Sequence, residues 1–134
     1  MGSNNMFIRF FSLPLYKLAR IFSSIQIKRG TIIGEGLFLP HYGTIVINRR
    51  SKIGKNVVVM HNVTLGAKGR SKDMNVPQVG DNVYIGAGAT LLGGISIGDN
   101  CTIGAGSVVT KNVKEGTIVV GNPAKEIQPK MKHS

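Results

Sequence analysis

Aliphatic residues recur at every sixth position along most of the chain. They fall at Ile27, Ile33 and Leu39, then at Ile47, Ile53, Val59 and Leu65, then at Val79, Ile85, Leu91, Ile97, Ile103 and Val109. Glycine directly follows many of them, as at Gly34, Gly54, Gly80, Gly86, Gly98 and Gly104. Two places before each aliphatic the residue is in most cases small or β-branched: Thr31, Ser51, Val57, Val63, Val83, Ala89, Cys101, Ser107. A repeat this short means brief strands joined by tight turns. Three such sides close a triangular coil of about 18 residues, stacked on the next at the ordinary strand spacing of ~4.8 Å. The aliphatics point inward and stack, and glycine lets the backbone turn without a Cβ clash. The predicted fold is all-β, a left-handed parallel β-helix of hexapeptide repeats, quasi-one-dimensional in its packing. Its handedness is an exception to the usual right-handed crossover.

The register breaks twice. Leu39 and Ile47 are eight apart instead of six, an excess of two around His41. Leu65 and Val79 are fourteen apart, which expels a loop at about residues 66–78. Loops thrown out from a rigid scaffold are more often functional than ornamental. The register also predicts a column. His41 lies two past Leu39, His61 two past Val59, Ala87 two past Ile85 and Ala105 two past Ile103. Successive members should stack ~5 Å apart. Two imidazoles above a strip of small residues leave backbone N–H and C=O groups approachable, which suits a long amide-bearing ligand. The bland alternative is that alanine only makes the corner tight.

Composition narrows the classes. The chain has 134 residues, enough for one modest core. Its 18 glycines fit the turns, and tryptophan is absent. The 17 Lys+Arg against 6 Asp+Glu give +11, which favours anionic partners. These cations are spread along the chain rather than run together, which argues against a nucleic-acid arm. The lone Cys101 excludes an internal disulfide and fits a reducing cytoplasm. No stretch reaches the ~18 apolar residues of a spanning helix.

The hexads, the "PHYGTIVI" break, the segment from "VTLGAKGRSKD" through "GAGSVVTKNV" and the closing "GNPAKEI" together resemble the hexapeptide-repeat acyltransferases. Within them the chain is similar to the serine acetyltransferase branch, which includes short sugar and polysaccharide O-acetyltransferases. The resemblance implies acetyl-CoA as co-substrate, no metal, and His41 as the general base that takes a proton from an acceptor hydroxyl. An imidazole titrating near ~6.5 is largely neutral at pH 7 and suits that task. His61, in the same column, is placed to contact the acceptor, to share a proton or to fill a groove wall, these readings staying open, with Tyr42 and Asn62 beside the pair. Gly66 and Ala67 match contacts to the thioester end of the cofactor. Ala87 and Ala105 match positions whose backbone holds pantetheine. Lys111, Asn122, Pro123 and Lys125 match the end where the nucleotide phosphates lie. A homotrimer with each site between neighbouring subunits is implied as well.

The chain departs from the serine-specific pattern at three places: Pro40 and Gln26 where that branch has aspartates, and Val76 where it has a histidine. These departures favour a sugar or surface-polysaccharide hydroxyl as acceptor, with serine as the alternative. What orients His41 stays open among a carbonyl, Gln26 and a water. A zinc enzyme of the γ-carbonic anhydrase type needs three histidines, and the repeat offers His41 and His61. A non-catalytic rod would explain the repeat but not the placement of His41.

Three segments are expected: residues 1–24 as a helical piece, residues 25–120 as the β-helix, and residues 121–134 as a tail carrying "GNPAK". The first is read as a cap on the open end of the β-helix, the alternative being a basic amphipathic helix (residues 6–24) on a membrane surface. The expected location is the cytoplasm, at the inner face of the membrane under the second reading.

Overall fold

The computed structural model describes residues 14–15, 17–19, 24–70 and 75–128. Three sheets form the sides of a prism. The first stacks β1 (Ile25–Ile27), β3 (Ile45–Ile47), β6 (Val63–Gly66), β9 (Thr90–Leu92) and β12 (Val108–Val109). The second stacks β2 (Ile32–Ile33), β4 (Lys52–Ile53), β7 (Gln78–Val79) and β10 (Ser96–Ile97). The third stacks β5 (Val58–Val59), β8 (Tyr84–Ile85), β11 (Thr102–Ile103) and β13 (Ile118–Gly121), with β14 (Ala124–Ile127) at its end. The chain visits the three sides in rotation, and the pairs between coils are parallel. This is the three-sided parallel β-helix that the six-residue period predicts.

The inward positions are those read from the sequence. Ile47, Ile53, Val59, Leu65, Val79, Ile85, Leu91, Ile97, Ile103 and Val109 are all buried in one continuous core. Ile27, Ile33 and Leu39 are half-buried; they belong to the first coil, which among the described residues is stacked on a coil from one side only. The smaller set two places earlier is buried too, from Ser51 and Val57 to Cys101 and Ser107. Each side therefore sends two side chains inward, and burying each large aliphatic contributes about 1.5–3 kcal/mol.

The corner between the second and third sides shows how local chemistry sets the turn. Gly36, Asn56, Asn82, Asn100 and Gly116 stack there, all with positive φ between 54° and 79°. Glycine and asparagine are the residues that enter this left-handed region at least cost. The N–H of Asn56, Asn82, Asn100 and Gly116 each donates to the carbonyl one coil earlier, at Glu35, Lys55, Asp81 and Asp99. Asp81 and Asp99 add side-chain rungs: their carboxylates accept from the N–H of Lys55 and Asp81, both at 2.7 Å.

Two features go beyond the sequence pattern. Val113 is buried and bridges to Ile97, so the step from Val109 is four residues rather than six. Then β13 turns back on itself: β14 pairs with it antiparallel, Ile118 opposite Ile127 and Gly121 opposite Ala124. The "GNPAK" segment is thus the turn of a hairpin and the start of its returning strand, which closes the last coil. Of the N-terminal segment, residues 14–15 and 17–19 are helical, and Leu15 and Leu18 are exposed. The rest of residues 1–23, with the expected cap or membrane face, lies outside the described residues. Among those described, no helix is long and apolar enough to cross a membrane.

Candidate active site

The eight-residue step between Leu39 and Ile47 makes a bulge at the corner between the third and first sides. Phe38 bridges to Val58, which places Leu39 over Val59 and His41 over His61. The two imidazoles meet edge to face, 5.7 Å between centroids and 89° between planes. Gly43 makes the bulge possible. Its φ is 152°, and a Cβ there would come within 2.8 Å of the His61 Cβ. His41 is exposed and makes no hydrogen bond among the described residues; the ring that meets it is His61. His61 is half-buried, and its Nδ1 is sealed from solvent with no hydrogen-bond partner. Asn62 turns the corner with φ 57°, and Tyr42 stands 97% exposed on the bulge.

The column continues downward as the register predicts. Val59 pairs with Ile85 and Ile85 with Ile103, so Ala87 and Ala105 follow beneath His61. The N–H of Gly88 donates to His61 C=O at 2.9 Å, and that of Gly106 to Ala87 C=O at 2.8 Å. None of the backbone bonds at this corner uses the N–H of Ala87 or Ala105. Gly86 between them is buried, and a Cβ there would lie 2.5 Å from the Ala105 nitrogen. The strip is therefore both narrow and furnished with free amide donors, which fits an extended amide-bearing ligand lying along it.

The other sequence-derived positions lie elsewhere on the prism. Gly66 ends β6 at the corner between the first and second sides, with Ala67 next to it. Five residues of extended chain separate His61 from Gly66, roughly 16 Å. One chain therefore does not bring Gly66 and Ala67 to the histidines. Gly66 instead shares a pocket of about 520 Å³ with Gln26, Lys28, Arg49 and Arg50. Gln26, a candidate to orient His41, thus faces a different pocket, and no hydrogen bond joins the two. Lys111, Pro123 and Lys125 line a pocket of about 260 Å³ at the last coil, with Asn122 exposed in the adjoining turn. Val76, at the end of the expelled loop, is 5% exposed and lines a pocket with Arg50, Asn75 and Gln78. The cations Lys28, Arg49 and Arg50 were passed over in reading the sequence. Their signal was the "RR" pair immediately following the buried Ile47–Asn48 corner.

A three-sided prism of parallel coils with a histidine pair at one corner defines a class, the hexapeptide-repeat transferases. Residues 77–111 match the family described as bacterial transferase hexapeptide (six repeats). A serine acetyltransferase from Helicobacter pylori is 42% identical over 118 residues, 88% of this chain and 69% of that relative. One from Synechocystis is 42% identical over 120 residues, 90% of this chain and 48% of the relative. A solved serine acetyltransferase in complex with CoA superposes with a TM-score of 0.76 at 33% identity, covering 92% of this chain and 50% of that one. The chain belongs to the serine acetyltransferase family of acyltransferases, and its fold is the left-handed parallel β-helix. It spans about half the length of the Synechocystis relative and of the solved structure.

Proposed function

We propose that this protein transfers acetyl from acetyl-CoA to the hydroxyl of a small acceptor, with L-serine the first candidate and His41 the general base. The observation that carries the reading is the His41–His61 pair standing at the head of the alanine strip. The names of the relatives support the acceptor, and the CoA complex of the similar solved structure supports the donor.

In this reading pantetheine runs along the free amides of Ala87 and Ala105, and its phosphates reach toward Lys111 and Lys125. An acceptor hydroxyl hydrogen-bonds to a neutral His41 nitrogen. As the oxygen attacks the thioester carbonyl, that nitrogen takes the hydroxyl proton. The C–S bond then breaks, and the imidazolium returns the proton to the departing sulfur. No covalent enzyme intermediate is required, since a thioester is already activated. Holding both substrates in one groove supplies much of the rest of the rate.

His61 has a distinct role. A buried N–H without an acceptor is rarer than a buried acceptor without a donor. With Nδ1 sealed away from any acceptor, the hydrogen of the neutral ring is assigned to Nε2. A fixed donor one strand spacing from the base is placed to stabilise charge on the reacting oxygen.

Assembly as a homotrimer belongs to the same proposal. Gly66 and Ala67 lie a full side away from His61, so they serve the histidine groove of a neighbouring copy. The reaction is set in the cytoplasm.

A second reading, a sugar hydroxyl as acceptor, is favoured by the apolar Val76 and Pro40 and by Gln26 at the three positions where the chain departs from the serine-specific pattern. The deciding experiment measures thiol release from acetyl-CoA with L-serine or with sugars as acceptor. Serine-dependent release is expected. Release with sugars alone would replace serine, and no release with either would reject the transferase proposal.

A further inference from the structure

Most acidic side chains of the described prism share one corner, where Lys55 and Lys114 stand among them. Glu35, Asp81, Asp99 and Glu115 stack at the corner between the second and third sides. The histidines hold the corner between the third and first. The remaining corner, between the first and second sides, carries Lys28, Arg49 and Arg50 on successive coils, with Lys68 and Arg70 following.

The acidic and basic ridges differ in how they are satisfied. Asp81 and Asp99 accept backbone N–H groups at 2.7 Å, and Glu35 faces the Lys55 ammonium at 3.6 Å. On the basic ridge the side chains of Lys28, Arg49 and Arg50 make no hydrogen bond or ion pair among the described residues. Like charges held opposite each other on neighbouring strands repel. Here the register sets Lys28 opposite Asn48 and Arg49 opposite Arg29, which gathers cationic side chains at one corner of neighbouring coils. The lining of their shared pocket contains no acidic side chain. Its floor adds uncharged hydrogen-bonding groups from Gln26, Asn48 and Thr64. At about 520 Å³ it lies within the range of small-molecule sites.

We propose that the pocket of Lys28, Arg49 and Arg50 binds the phosphate or diphosphate group of a small molecule, apart from the cofactor-phosphate pocket of Lys111 and Lys125; Gly66 is the wall at which it meets the groove proposed for a neighbouring copy. Arginine forks match phosphate oxygens in pairs, and two adjacent arginines with a lysine one coil away surround such a group from two levels. The cofactor phosphates are assigned elsewhere, to the pocket of Lys111 and Lys125 at the last coil. Three coil spacings separate the two cationic pockets, roughly 15 Å along the axis. The inference rests on one chain's own residues and does not depend on His41 acting as a base.

The test is calorimetric titration of the full chain with inorganic pyrophosphate at low salt, beside R49A/R50A and K111A/K125A. The substituted residues are exposed, and thermal melts confirm that each variant is folded. Binding should weaken at least tenfold in R49A/R50A, weaken less in K111A/K125A, whose pocket is assigned to the cofactor phosphates, and fall as salt is raised. Absence of binding, or binding insensitive to R49A/R50A, overturns the proposal. So does binding that K111A/K125A abolishes. Acetyl-CoA is titrated in parallel. If R49A/R50A weakens it as much as pyrophosphate, the pocket is the cofactor's own phosphate end and the separate site falls. Failure of serine-dependent turnover would reject the transferase reading and leave these outcomes unaffected.

Discussion

His41 and His61 are twenty residues apart in sequence and meet edge to face at 5.7 Å. One turn of the prism brings them together. The two rings are unequal: His41 is exposed on a bulge, while His61 is wedged beneath Gly43 with one nitrogen sealed. A base must release and accept a proton freely, which suits the open ring. A donor benefits from being held still, which suits the wedged one.

Replacing His41 by Ala should therefore lower turnover by ~10²–10⁴ without loss of structure. The exposed side chain supports nothing else among the described residues. Thiol release measures the rate, and circular dichroism and acetyl-CoA binding report on the fold. A variant that keeps the parent rate would remove His41 from the chemistry.

His61 should separate by chemistry rather than by size. His61→Gln keeps an N–H donor and should retain most of kcat. His61→Leu fills similar space without one and should lose ~10²-fold or more, with KM for acetyl-CoA little changed. Nitrogen-15 NMR of labelled histidine should show the His61 hydrogen on Nε2. Finding it on Nδ1, or equal rates for the two variants, contradicts the donor role.

The core of this fold was readable because each coil repeats the same packing problem. Leu65, Ile85 and Leu91 occupy equivalent inward positions, so a period of six suffices to find them. The histidine column followed from the same arithmetic, since a β-helix converts sequence offset directly into stacking. What resisted reading lies where the repeat ends or a corner changes length. Val113 follows Val109 by four because its corner is cut short, and a search at six steps past it. The hairpin of β13 and β14 pairs antiparallel, a geometry the repeat does not encode. The basic pocket joins Lys28, Arg49 and Gly66 across three coils, at corner positions whose residue types follow no hexad rule.

Core substitutions should follow position along the axis. Leu91→Ala lies within the stack, fully buried, and should cost about 2–5 kcal/mol. Leu39→Ala, half-buried in the first coil, should cost less than half as much, because less of its side chain is removed from water. Urea denaturation of the two variants tests the gradient. Equal losses would mean that the first coil is covered as completely as the fourth.

The acid ridge offers a test of what its carboxylates do. Asp81 accepts the Lys55 N–H at 2.7 Å, while its own N–H donates to Asp99 at the same distance. Asp81→Ala removes an acceptor from a corner amide and should destabilise the fold by about 1.5–3 kcal/mol. Asp81→Asn keeps an oxygen in the same place and loses the charge alone, so it should cost about 1 kcal/mol or less. The ratio of the two is the informative quantity, read from denaturation midpoints at low and high salt. If Asn is as damaging as Ala and salt shifts both, the ridge acts through its charge toward Lys55 and its neighbours. If Asn is tolerated and salt has little effect, Asp81 is a rung in the corner ladder. The 2.7 Å geometry predicts the second result.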